Sequence, residues 1–397
     1  MNTHESGRRG LRDRLRQASV GAMAALILAA APALAQQEPA KVYSFTADGW
    51  FGKDISFTPL TEAMDEARSL DADYIIIKVD VDWFQRGDPL EQELSDDSGI
   101  FDIFGIRPIR PVFTEEALEV WDEKPQIVFW VKNAMGSAAF LPFLADTMYF
   151  HPEGRIGGIR GVYLQFRTGD EVVKEKLVAA SLATAKGMVI ASGYEPKLIE
   201  AMARGDYTLS YRLEGGRPVY LEREPQSTDE FLLTNNALDE SRQDSIQDLA
   251  RGRGKNWLTL DEETARVLGV SKGTVSTIDD LLFELGIARN YEMVGDGDRI
   301  MNSWADSIER TEKALDRLWR EYSEIQVDAD EWSERRRQRG QQRAKLAQMI
   351  GLLERYKEAI VPYHIDVFRN FRSPEQLISE FRRRLQRLDL EQLADER

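Results

Sequence analysis

Cysteine does not occur anywhere in the 397 residues. Its absence excludes disulfides, thiolate metal sites, a thiol nucleophile and a lipid-modified cysteine, so stability must come from core burial. Histidine is nearly as scarce, with only His4, His151 and His364. None of the three has the Cys, Asp or Glu spacing of a metal site, so neither a metal nor another cofactor is expected. Long hydrophobic runs are missing too. The run Ala22–Ala31 has ten residues, about half of the roughly 20 that a membrane-spanning helix needs. Positive charge is in deficit, with a formal net charge of −16. The surplus acid lies between residues 36 and 297, because the last hundred residues balance acids against bases. Such a surface repels phosphate backbones, which argues against nucleic acid as a partner.

The start of the chain has a different composition. Arg8, Arg9, Arg12, Arg14 and Arg16 precede the Ala/Leu/Ile-rich run, and Ala33-Leu34-Ala35 offers a small-x-small site before Gln36. That order of basic, apolar and small residues is expected of an export signal over residues 1–35, which places the mature protein in the periplasm or outside the cell. The remainder is long enough for two domains.

From residue 36 to 290, short β-branched runs alternate with longer helical patterns. Val42–Phe45, Ile75–Val79, Ile127–Val131, Met148–Phe150 and Val162–Phe166 read as strands, several of them apolar on both faces. Leu60–Ser69, Glu115–Trp121, Ser137–Leu144 and Val172–Ser192 read as helices between them. This alternation predicts an α/β core with a mostly parallel sheet. Leu209–Leu213 and Val219–Leu221 flank Glu214-Gly215-Gly216 as a hairpin. Residues 82–111 read as an irregular insertion. Asp296-Gly297-Asp298 lacks the spaced acidic run of a calcium loop and reads as a linker. From 298 to 397 the period changes: Met301, Trp304, Ile308, Thr311, Leu315, Leu318 and Tyr322 recur at helical spacing, as do Leu346, Met349, Leu353, Tyr356 and Ile360. Two such helices predict a hairpin or coiled coil, followed by a shorter amphipathic helix over 374–388. The arginines around Arg335-Arg336-Arg337 lie among acids and read as a solvated helix face.

One segment is more specific. Ile127-Val128-Phe129-Trp130-Val131 runs into Gly136-Ser137-Ala138-Ala139-Phe140. The chain continues through Ala145-Asp146 to a second strand ending near His151-Pro152 and Ile156-Gly157. This resembles the Clp-protease/crotonase superfold, and within it the membrane-associated serine proteases of the NfeD and signal-peptide-peptidase-A group. Asp48-Gly49-Trp50-Phe51-Gly52, Asp73–Asp80, Gly193–Ala203, Leu258–Val270 and Ile278–Gly286 fall in the order that the family would give, so the likeness covers residues 40 to 290 or so. It implies a spiral of ββα units, here with an all-α C-terminal extension. It also implies a polypeptide substrate or ligand, a homo-oligomer and room for peripheral membrane association. Family members without a catalytic histidine use a serine activated by a lysine, which implies Ser137 as nucleophile and Lys176 as base. The backbone at Gly136 and Ala138 would form the oxyanion turn. A lysine base must be desolvated or crowded to be neutral. The family's glycine loop after the second strand is replaced by Val81-Asp82-Trp83-Phe84, and Ala139 stands where a glycine is expected. Counting back from Asp146 would put the nucleophile at Gly136 rather than Ser137. Two readings follow: an exported serine peptidase with a Ser-Lys dyad, or a catalytically degenerate scaffold for assembly or peptide binding.

Overall fold

Isoleucine and valine occupy successive positions in Ile75-Ile76-Ile77 and Ile127-Val128, a pattern that suits strands covered on both faces. In the computed structural model these runs are adjacent parallel strands. It describes residues 38–81, 106–114, 118–159, 170–235, 244–245, 248, 251–371 and 373–396. The proposed export signal and the strand expected at Val162–Phe166 lie outside these residues. Strands β1 (Ala40–Asp48), β2 (Tyr74–Asp80), β3 (Gln126–Met135) and β4 (Thr147–Gly157) pair in parallel, each with the next. Helix α1 (Phe57–Ser69) connects β1 to β2. After β4 come α2 (Glu171–Ala191) and α3 (Pro196–Ala203). A separate antiparallel sheet follows, built from β5 (Leu209–Glu214), β6 (Arg217–Leu221) and β7 (Glu230–Thr234), with β5 in the middle. The β5–β6 turn is made by Gly215 and Gly216, with φ of 59° and 80°. That positive-φ pair is what a tight hairpin asks for. Then β8 (Thr259–Asp261), α4 (Glu262–Val267), α5 (Ile278–Glu284) and β9 (Tyr291–Met293) return to the main sheet. Its order is β8-β4-β3-β2-β1-β9, with β8 antiparallel to β4.

Because side chains alternate along a strand, the sheet has two apolar faces. Tyr43, Phe45, Ile75, Ile77, Phe129, Val131 and Phe150 face the larger core, which includes side chains of α1, α2 and α3. Val42, Ile76, Val128, Trp130 and Tyr149 pack with Val275, Leu281 and Leu282 around α5. The last hundred residues form α6 (Gly297–Glu324), α7 (Trp332–Arg355) and α8 (Pro374–Asp395), which share a core of their own built on Leu315, Leu346, Leu353, Leu377 and Phe381. No described helix is long and apolar enough to cross a membrane. The fold is thus mixed α/β with a parallel-rich sheet and a helical C-terminus.

Three expectations change. Ser137–Leu144 is two 3-10 turns, Gly136–Phe140 and Pro142–Leu144, instead of one α-helix. Pro142 has no N–H to offer the Ala138 carbonyl, and its ring clashes there. Of the helix expected over Glu115–Trp121, residues 115–117 lie outside the described set, Leu118 is helical with its amide donating to the Thr114 carbonyl at 3.1 Å, and the chain turns away over residues 119–121. The stretch read as a linker is the start of α6: Asp296 caps it by accepting from the Arg299 amide at 3.1 Å. Gly297 is required there, since a Cβ would lie 2.8 Å from the Cβ of Phe45.

The helical layer grips the loop after β1. Asp298 Oδ1 accepts from the Thr46 amide at 2.6 Å, Trp304 Nε1 donates to the Lys53 carbonyl at 2.9 Å, and Lys53 pairs with Glu312 at 2.8 Å. Glu358 Oε1 accepts from the Thr58 amide at 3.1 Å and faces the Ser56 hydroxyl at 3.3 Å. The His364 ring meets Trp50 edge-on, with centroids 5.0 Å apart.

Candidate functional site

Strand β3 ends with Met135 in extended backbone, and Gly136 reverses the chain with φ of 63°. That left-handed conformation is open to glycine at little cost. The reversal starts the turn Gly136–Phe140, whose five residues are all buried. Ser137 is 0% exposed. Gly136 and Ala138 flank it, so the three residues assigned to the nucleophile turn sit together at the end of a core strand.

Lys176 is elsewhere in character. It lies in the second turn of α2, where the helix is capped by Asp170, which accepts from the Val172 and Val173 amides at 3.0 and 3.2 Å. Its side chain is exposed to solvent. Ser137 and Lys176 therefore occupy opposite environments, one enclosed and one wet. A lysine base needs desolvated surroundings, whereas the Lys176 side chain is exposed. Lys186, two to three turns further on, is paired with Glu200 at 2.8 Å.

The strand end beside the turn has been put to structural use. Just after β2, the Val81 amide donates to the Asn133 carbonyl at 2.7 Å. Asp80 holds Lys132 at 2.9 Å and approaches Lys78 at 3.9 Å. His151 lies near this group. Its Nδ1 accepts from the Glu153 amide at 3.1 Å, which leaves the proton of the neutral ring on Nε2. Burial pushes the His151 imidazole below its ordinary value, and Lys132 and Lys78 push in the same direction. Among the described residues, no three or more His, Cys, Asp or Glu side chains are grouped to hold a metal ion.

A cleft of about 1100 Å³ opens between the segment 106–114 and the last turns of α2. Arg107, Arg110, Phe113, Leu144, Thr184 and Met188 are among the residues that line it. Ile106, Ile109, Val112 and Phe113 are buried and hold the segment against the core. Ile106 and Ile109 fall within the stretch 82–111 expected to be an irregular insertion, and Val112 and Phe113 follow directly after it. The available signal is the i, i+3, i+6, i+7 spacing of those four apolar residues, with Arg107-Pro108 and Arg110-Pro111 between them.

No family model matches the chain, and no curated protein matches it. Among solved structures, it is similar to a serine-to-alanine mutant of the 1510-N membrane-bound stomatin-specific protease at 13% identity, over 62% of this chain and 84% of that one, with a TM-score of 0.35. It is also similar to the 1510-N membrane protease specific for a stomatin homolog from Pyrococcus horikoshii, at 14% identity over 62% and 78% of the two chains, with a TM-score of 0.33. A lysine-to-alanine mutant of 1510-N in complex with a substrate peptide is similar at 12% identity over 62% and 80%, with a TM-score of 0.34.

Proposed function

We propose that this chain is a polypeptide-binding scaffold built on a Clp-protease/crotonase-type spiral, descended from serine peptidases of the NfeD and signal-peptide-peptidase-A kind and no longer cleaving what it binds. The observation that carries this reading is the contrast between Ser137, fully enclosed, and Lys176, exposed on α2. A nucleophile must reach its substrate, and its base must reach it. Two sequence features support the same reading: no glycine donors follow β2, and Ala139 replaces a glycine after the serine. The consecutive order β4-β3-β2-β1 supports the spiral. In this reading residues 1–35 are an export signal, the scaffold works outside the cytoplasm, and the helical extension serves its assembly into a homo-oligomer, with peripheral membrane association as in the family it resembles.

The alternative is an active peptidase in which Ser137 attacks and Lys176 takes its proton, with the amides around Gly136 and Ala138 holding the oxyanion. What favours it is the position of Ser137, directly after the sharp Gly136 reversal at the end of a core strand. A fluorophosphonate probe separates the two. The scaffold reading expects wild-type protein to label no more than Ser137→Ala or Lys176→Ala. Labelling of the wild type that both substitutions abolish would establish the dyad.

A further inference from the structure

The helical layer and the α/β body meet at a polar seam with an aromatic pair in it. On the body side, the loop after β1 is a compact turn. The Lys53, Asp54 and Ile55 amides all donate to the Trp50 carbonyl, at 3.1, 2.9 and 3.1 Å. Ile55 is buried in the main core, so Trp50 and Lys53 are presented on a fixed base. On the other side, His364 ends the 3-10 turn Pro362–His364, and Ile365 and Phe368 beyond it are buried in the helical layer's own core. Each half of the seam is thus anchored to a different core. The half-buried His364 ring bridges them through its 5.0 Å contact with Trp50.

The charges around this ring are placed against a second proton. Lys53 is a like charge for an imidazolium and disfavours it. The carboxylates of the seam are already engaged: Glu312 on α6 with Lys53 at 2.8 Å, Glu358 with the Thr58 amide at 3.1 Å, and Asp54 with the Trp50 amide at 2.8 Å. Tyr363, on the same turn as His364, adds only a ring at 6.2 Å. Among the described residues no acid pairs with His364. An imidazolium in this place loses hydration and gains no counter-ion.

We propose that the contact of His364 with Trp50 is a pH-sensitive latch: in mild acid the ring takes up a second proton, and the turn Pro362–His364 lifts from the loop after β1. The neutral ring packs as an aromatic, and the charged ring is drawn to water. Glu358 lies on the same stretch, six residues earlier, so its tie to the Thr58 amide loosens with the turn. The first turn of α1 is then uncapped, and the seam between the two cores opens. The latch is independent of whether the chain cleaves what it binds.

Two measurements on the full chain test this from about pH 8 to about pH 5, the range in which histidine titrates. With only three histidines in the sequence, the ring signal of His364 in an NMR series is assigned by its loss in His364→Gln. It should titrate below 6.5. Over the same range, hydrogen exchange at the Thr58, His364 and Ile365 amides, corrected for the intrinsic rate, should quicken by up to about tenfold per pH unit. His364→Phe keeps an aromatic ring and cannot take the proton, so its exchange should stay flat. Lys53→Gln removes the like charge and should move both the titration and the exchange midpoint to higher pH. Where His364→Phe is already open at the alkaline end, the Lys53→Gln shift decides. A His364 titration at or above 6.5 would overturn the latch, because the Trp50 ring face would then be holding the cation. So would exchange at the seam that is flat in the wild type, that rises equally in His364→Phe, or that keeps its midpoint in Lys53→Gln.

Discussion

At Gly157 the backbone has φ of 127°, and a Cβ there would lie 2.2 Å from the Leu258 carbonyl oxygen. The contact is with backbone at the β4–β8 junction, where neither partner can swing away. Gly157→Ala is expected to cost at least about 2 kcal/mol, read as a lower midpoint in urea unfolding. Glu230 shows the opposite economy. Both guanidinium nitrogens of Arg223 donate to its carboxylate at 2.7 Å, and the Gln226 amide donates at 2.7 Å as well. With Arg223 as the largest cause, the Glu230 carboxyl is held down at about 2. Its contribution to stability is whole above the ordinary value of 4.5 and is lost as the pH falls toward 2. Arg223→Gln should move the carboxyl carbon titration of Glu230 upward in an NMR pH series. Burial lowers the His364 imidazole, and Lys53 lowers it further. The folded state therefore binds the proton more weakly than the unfolded chain. Its stabilising effect is complete above 6.5 and is lost as the pH drops below it. A His364→Gln variant should flatten the upper part of the acid-unfolding profile.

Among the elements, α1 has no side-chain cap of its own at Ser56. Its Thr58 amide is instead satisfied by Glu358, a residue 300 positions away. Glu358→Ala is expected to cost about 1 kcal/mol, as loss of a helix cap does, and to raise hydrogen exchange at the first turn of α1. This tie could not be read from local pattern, since capping rules look only a few residues along the chain. The core strands were legible because Ile75–Ile77 and Ile127–Val131 carry their burial in composition alone. The long helices were legible too, because Met301 through Tyr322 and Leu346 through Leu353 repeat at one period. Pro142 was the overlooked breaker in the turn after β3. The turn itself was legible at Gly136, but the enclosure of Ser137 was not, because burial on all sides is a property of the assembled layers. Lys176 shows the same limit: its spacing from Ser137 is a chain distance, and α2 turns it to solvent.

For the whole molecule, the helical layer is tied to the α/β body by polar contacts clustered at one strand end. Asp298, Glu312 and Glu358 reach it there, and Arg299 pairs with Glu66 at 3.0 Å. Tyr43 also donates to Glu66, at 2.7 Å, and that hydrogen bond is the largest cause holding the Glu66 carboxyl below its ordinary value. Removing residues 297–397 would uncover Tyr43 and Phe45, which Gly297 now touches. The shortened chain is expected to bind a hydrophobic dye and to melt at a lower temperature than the full one, as calorimetry would record. The span of these ties also sets an order of events. A ribosome releases the β1–α1 loop long before the residues that hold it exist, so the first-made part of the chain reaches its final form only after the last-made part has emerged. Contacts this distant slow folding and extend the time the nascent body spends incomplete.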